Sequence, residues 1–168
     1  LQGDSDSLPI INVDMGDEGL VIERKLDKDK LYINTESGIA SFAFNNYANT
    51  GGAHPTFFYT STAYDLKNGN VLALRDLFKG EYEPFMSAYL KDRIMKAKEN
   101  DSDCVRCDVL GGQIETENAI LVDVFYLNEK GIIFLYGAYD LGSYAATSAG
   151  QEILVPKEKL KEFVQKEW

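Results

Sequence analysis

A chain of 168 residues, 45% hydrophobic and 12% aromatic, can bury one sizeable core, and its length points to one domain. A net charge of −10 and a pI near 4.6 argue against nucleic acid as a partner, because phosphate contacts need clustered Lys and Arg and the 17 cations here are dispersed. No run approaches the roughly 20 apolar residues that span a bilayer, so the chain is not read as membrane-spanning. Leu1 to Ser7 is polar and without periodicity, a linker or leader remnant ahead of one folded domain over 8–168.

Leu8 to Val13 is a short apolar run whose Pro9 suits an edge strand. Gly19 to Leu26 and Lys30 to Asn34 read as two strands of a hairpin, with Asp27-Lys28-Asp29 as its turn. Ile39 to Asn45 alternates, which places Ala40, Phe42 and Phe44 on a buried face. The next stretch, Tyr47 to Pro55, holds the single histidine directly after Gly51-Gly52-Ala53. Two glycines and a proline take the backbone out of strand geometry, so an imidazole is presented from a sharp turn. Thr56 to Tyr64 follows as a strand covered on both faces, and Asn68-Gly69 predicts a type I′ hairpin turn before Val71.

Arg75 to Phe78 fits a single helical turn. Over Glu83 to Asn100 the period changes to 3.6, with Phe85, Met86, Tyr89, Leu90, Ile94 and Ala97 recurring at three- and four-residue steps and Pro84 near the start. Asp101 to Gly112 is an acidic loop. Ala119 to Tyr126 and Gly131 to Tyr136 are apolar at nearly every position and read as a central antiparallel pair joined by Leu127 to Lys130. Gly137 to Gly150 is irregular and rich in Tyr, Ser and Gly, a length more often functional than idle. Glu152 to Val155 is a last strand and Pro156 to Lys166 a closing helix. The predicted class is α+β, a mostly antiparallel sheet packed by one long helix and a C-terminal helix.

Three stretches occur in a telling order: Tyr47 through His54-Pro55; Tyr64 to Gly69 leading to Leu74-Arg75-Asp76-Leu77-Phe78; and Gly131 to Phe134 through Tyr139-Asp140-Leu141-Gly142-Ser143-Tyr144 to Gln151–Pro156. Together they resemble the extracytoplasmic domain shared by the lysozyme-sensing anti-sigma factor RsiV and the non-catalytic part of the peptidoglycan deacetylase PdaC (domain of unknown function 3298 with the preceding PdaC-type region). The resemblance covers roughly 38–165. It implies an α+β domain outside the cytoplasmic membrane, whether periplasmic, secreted or lipid-anchored, and a role in recognition without chemistry of its own.

Candidate site residues carry two readings each. His54 is a general base in one and a turn histidine packed on Tyr47 or Tyr59 in the other. Cys104 and Cys107 are either a local disulfide or two free thiols, since acidic neighbours disfavour a reactive thiolate. Glu99, Asp101, Asp103 and Asp108 lack the EF-hand spacing and read as a solvated loop. Asp123 stands within an apolar run, as a buried, hydrogen-bonded carboxylate or a raised-pKa acid. Ser143 and Ser148 lack the Gly-x-Ser-x-Gly context of a nucleophile.

No metal is expected at His54, and no cofactor motif is present. Tyr139, Asp140 and Tyr144 of the irregular segment join Tyr47, His54 and Tyr59 as a candidate binding surface, and the two stretches are expected to lie side by side. The leading expectation is a non-enzymatic domain that binds a cell-wall glycan or a basic, lysozyme-like protein. The alternatives are an enzyme acting on carbohydrate or peptidoglycan, with His54 and Asp140 or Asp123 in acid/base roles, and a structural accessory module.

Overall fold

In the computed structural model, residues 11–14, 21–98, 120–148 and 150–168 are described. The Cys104–Cys107 pair, the Glu99 to Asp108 carboxylates and the 1–7 linker lie outside them. The elements in chain order are β1 (Ile11–Asp14), β2 (Val21–Asn34), β3 (Ile39–Asn49), β4 (Thr56–Asp65), α1 (Leu74–Leu77), α2 (Tyr82–Lys98), β5 (Phe125–Asn128), β6 (Gly131–Tyr136), α3 (Tyr144–Thr147), β7 (Gln151–Pro156) and α4 (Lys157–Leu160). They form two antiparallel sheets, β1-β2-β3-β4 and β5-β6-β7, with a few helices, an α+β arrangement. No helix among the described residues is long and apolar enough to cross a membrane.

The expected Asp27-Lys28-Asp29 turn is instead a bulge within one long strand. Both flanking runs pair with β3, from Val21↔Asn49 to Leu26↔Phe44 and again from Leu31↔Phe42 to Asn34↔Ile39. A hairpin would fold the second run back on the first. The bulge keeps the direction and re-aims a side chain: Lys30 turns inward, is buried, and pairs with Glu152 of β7 at 2.9 Å.

The phase of β3 also differs from expectation. Ile39, Ser41 and Ala43 face the core, whereas Phe42 and Phe44 lie on the other face, half-buried beside Tyr64 and Arg24. The core-facing row is chosen by β5. Its Leu127 and Phe125 N–H groups donate to the hydroxyls of Ser41 at 3.0 Å and Ser61 at 2.9 Å, which covers the open edge of the second sheet. An aromatic ring in place of Ser41 could not accept that bond. Nor is β4 covered throughout, since Phe57 and Phe58 are 39% and 40% exposed.

Tyr82, Met86, Leu90 and Ile94, four residues apart on α2, are buried against a core that includes Leu77, Phe78, Leu127, Ile132, Phe134 and Tyr136. Every residue of β6 is buried, as befits the central strand of its sheet. β5 begins only at Phe125, and Asn128 ends it by accepting the Lys130 and Gly131 N–H groups at 2.8 and 3.1 Å. Asp123 therefore precedes the strand and is exposed, not buried. The closing helix is a single turn. Beyond Leu160 the backbone pairs with 77–79 instead, through Lys79 N–H to Phe163 C=O and Gln165 N–H to Leu77 C=O.

The Asn68-Gly69 turn has positive φ at Gly69 alone, so it is not type I′, and Val71 makes one bridge to Tyr64 where a strand was expected. The Asp65 side chain organises this turn. It accepts Lys67 N–H at 2.9 Å and the Lys166 ammonium at 2.9 Å, and the Lys166 bond, with the Lys67 N–H next, holds its carboxyl below the ordinary 3.8. A carboxyl depressed in the folded state contributes stability that is complete above the unfolded value and is lost as pH falls through the folded one. Urea titrations between pH 7 and 2 should show an acid limb that is shallower in Asp65→Asn. An unchanged limb would mean that the pair does not contribute.

Candidate functional site

The Gly-Gly turn and the segment after β6 meet beside β4. Ala138 N–H donates to Phe57 C=O at 2.9 Å, and Gly137 lies so close that a Cβ would stand 3.2 Å from the Phe57 carbonyl and Phe58 Cα. Gly150, at the far end of the segment, has φ +69, and a Cβ there would meet the Tyr59 ring at 2.6 Å. Two glycines thus let the segment press against Phe57 to Tyr59 at both ends.

Between them the loop is braced from inside. Asp140 Oδ2 accepts Gly137 N–H at 2.6 Å. Buried Thr147 accepts Tyr139 N–H at 2.9 Å and donates to Ser143 C=O at 3.0 Å. Tyr139 is held at φ +74, a conformation uncommon for a residue with a Cβ. The result is that its ring projects, half exposed, toward the Gly-Gly turn. Beneath, Tyr136 is buried and donates its hydroxyl to Ile120 C=O at 2.8 Å; burial, then the Asp140 charge, pushes its pKa up.

His54 is exposed and stacks on Tyr144, with ring centroids 3.6 Å apart and planes 16° from parallel. Its Nδ1 faces the Pro55 carbonyl at 3.2 Å and its Nε2 the Tyr139 hydroxyl at 2.9 Å. A carbonyl can only accept, so the neutral ring donates its Nδ1–H to Pro55 C=O and accepts a hydrogen bond from the Tyr139 hydroxyl on Nε2. Both nitrogens are engaged, Nδ1 within its own turn and Nε2 across to the second loop. The packing partner is Tyr144, not Tyr47 or Tyr59: Tyr47 meets Phe57 at 5.1 Å instead.

Next to this stack is a cleft of about 460 Å³ lined by Asn45, Asn46, Phe57, Phe58, Tyr59, Tyr144 and Ser148. Tyr59 and Tyr144 were legible as candidates from sequence. Ser148 was legible too, within the irregular Gly137 to Gly150 segment, whereas Asn45, Asn46, Phe57 and Phe58 were not; adjacent strand residues face opposite ways, yet both phenylalanines are exposed here. Asn46 Nδ2 bonds the Phe44 and Phe58 carbonyls and Thr60, all at 3.2 Å, and so fixes one wall. Asp123 lines a different cavity.

Residues 75–158, half of the chain, match the family described as protein of unknown function DUF3298. The chain belongs to the DUF3298 family. The matched stretch contains Tyr139, Asp140, Tyr144 and Ser148, whereas His54 and the β3–β4 hairpin precede it. A DUF3298 member from Bacteroides fragilis NCTC 9343 is similar in structure, with a TM-score of 0.65 and 26% identity over 85% of this chain and 53% of its own. Another, from Pseudomonas aeruginosa PAO1, gives a TM-score of 0.60 over 88% of this chain and 63% of its own; at 21% identity it speaks to the fold alone. This DUF3298 chain thus spans little more than half of the first relative and under two thirds of the second. No curated protein matches it.

Proposed function

We propose that this DUF3298 chain is a non-enzymatic ligand-recognition domain working outside the cytoplasm, periplasmic, secreted or anchored, and that its cleft along β4 takes a cell-wall glycan. The carrying observation is the cleft itself: Phe57 and Phe58, well exposed, beside Tyr144, Asn45 and Asn46. Aromatic faces suit the C–H faces of sugar rings, and a few placed amides and hydroxyls suit their hydroxyl groups. The RsiV/PdaC resemblance supports the compartment. Net charge of −10 favours a second reading, a basic lysozyme-like protein drawn to the same end of the domain.

The acid/base alternative finds less support. Both His54 nitrogens are engaged, Asp140 Oδ2 braces its own turn, and Asp123 lines another cavity. Calorimetric titration with N-acetylglucosamine oligosaccharides, muropeptides and lysozyme tests the proposal. Binding of the glycan, weakened about tenfold in Phe58→Ala and in Tyr144→Ala, is the expected result. Phe58 is 40% exposed, so thermal melts should show that its variant folds. Silence from every ligand, or binding by both variants as tight as by the unaltered domain, would overturn the assignment of the cleft.

A further inference from the structure

We propose that the cavity between β4, α1 and the start of α2 is a second binding site, built for a short peptide with a free ammonium and a free carboxylate. It goes beyond the glycan cleft and shares none of that cleft's lining residues. Its volume is about 660 Å³, within the range of small-ligand sites and larger than the glycan cleft. Apolar patches from Val71, Leu72 and Leu74 share the lining with a larger polar part that includes Ser61, Ser87 and Tyr82.

Charge decides the class of ligand. One cation, Arg75, and two carboxylates, Glu83 and Asp123, line the same space, all exposed. Among the described residues the Arg75 guanidinium and the Asp123 carboxylate make no ion pair or side-chain hydrogen bond, so both are available to a ligand. Glu83 already accepts the Tyr82 hydroxyl at 3.1 Å, which directs that wall. A phosphate dianion would meet two carboxylates for one guanidinium and is repelled. A neutral sugar would leave both charges unanswered. A zwitterion answers each, its carboxylate on the Arg75 fork and its ammonium on Asp123, while the apolar patches between them accept small side chains. Asp123, puzzling as an acid in an apolar run, acquires a role.

The test is a 15N–1H chemical-shift titration with trialanine carrying both free ends. Shifts should concentrate at Ala63, Leu72, Arg75, Ser87 and Asp123. Acetylating the ammonium or amidating the carboxylate should each weaken binding about tenfold. Arg75→Gln should erase the penalty for amidation and Asp123→Asn the penalty for acetylation. Both residues are exposed, and an otherwise unchanged spectrum confirms that the variants fold. No shifts at those amides, equal affinity for free and blocked peptides, or unaltered penalties in both variants would overturn the proposal. The glycan titration is judged by Phe58→Ala and Tyr144→Ala, residues outside this cavity, so either site can fail without the other.

Discussion

Gly131→Ala should destabilise the domain by about 3 kcal/mol or more, the largest loss expected of any single methyl group added here. A Cβ at Gly131 would run into the Val155 carbonyl and stand 2.9 Å from Lys157 N and 3.1 Å from Pro156 C. These are backbone atoms at the end of β7 and the start of α4, fixed by the Gly131↔Pro156 register and by Lys157 N–H donating to Lys130 C=O at 2.8 Å. No side chain can swing aside, so the end of the β6–β7 ladder must open. Gly51→Ala makes a control. Its φ is +78, but nothing lies within 4 Å, so only the backbone strain of about 1 kcal/mol applies. Urea denaturation of the two variants compares close approach with strain; similar losses would show that β7 is not pressed against Gly131.

Lys30→Met should cost about 3 kcal/mol, because it leaves the Glu152 carboxylate facing the protein with its ion-pair partner removed. The pair is well buried, with side-chain exposures of 5% and 11%, so water offers little compensation. Lys30→Met combined with Glu152→Leu should recover most of the loss, since two apolar side chains replace two desolvated charges. A double-mutant cycle by chemical denaturation measures this. A double variant as unstable as the sum of the singles would show that the two residues act independently. The pair also ties the β2 bulge to β7 and so helps to hold the two sheets together.

Elements whose signal is local were legible. The 3.6 period marked α2, and the Gly51 to Pro55 cluster marked the turn between β3 and β4. The apolar run of Gly131 to Tyr136 marked a strand buried throughout. Where two local signals competed, the outcome depended on distant residues. Asp27-Lys28-Asp29 has turn chemistry, yet β3 pairs with both of its flanks. β3 alternates, but alternation does not say which face is inward, and a small serine that could accept a β5 N–H prevailed over two phenylalanines. The C-terminal run has helical periodicity, but after a turn closed by Phe163 and Val164 N–H on Leu160 C=O its backbone hydrogen bonds go to 77–79.

For the site, the sequence put His54 on a turn and expected it beside the Tyr139 to Tyr144 loop, which is where it stands. The brace of Asp140 on Gly137, the positive φ of Tyr139 and the cleft wall of Asn45, Asn46 and Phe58 were not visible, because each depends on how closely that loop approaches β4. The sequence by itself determined the α+β class, the kind of most elements and the presentation of one imidazole from a glycine turn, all consequences of backbone periodicity and of what Gly and Pro permit. Only the tertiary structure decided that the imidazole is spent on a tyrosine and a carbonyl, that Lys30 is buried, and that Asp123 faces a cavity. Those outcomes follow from contacts between segments tens of residues apart, where hydrogen-bond geometry and burial outweigh local preference.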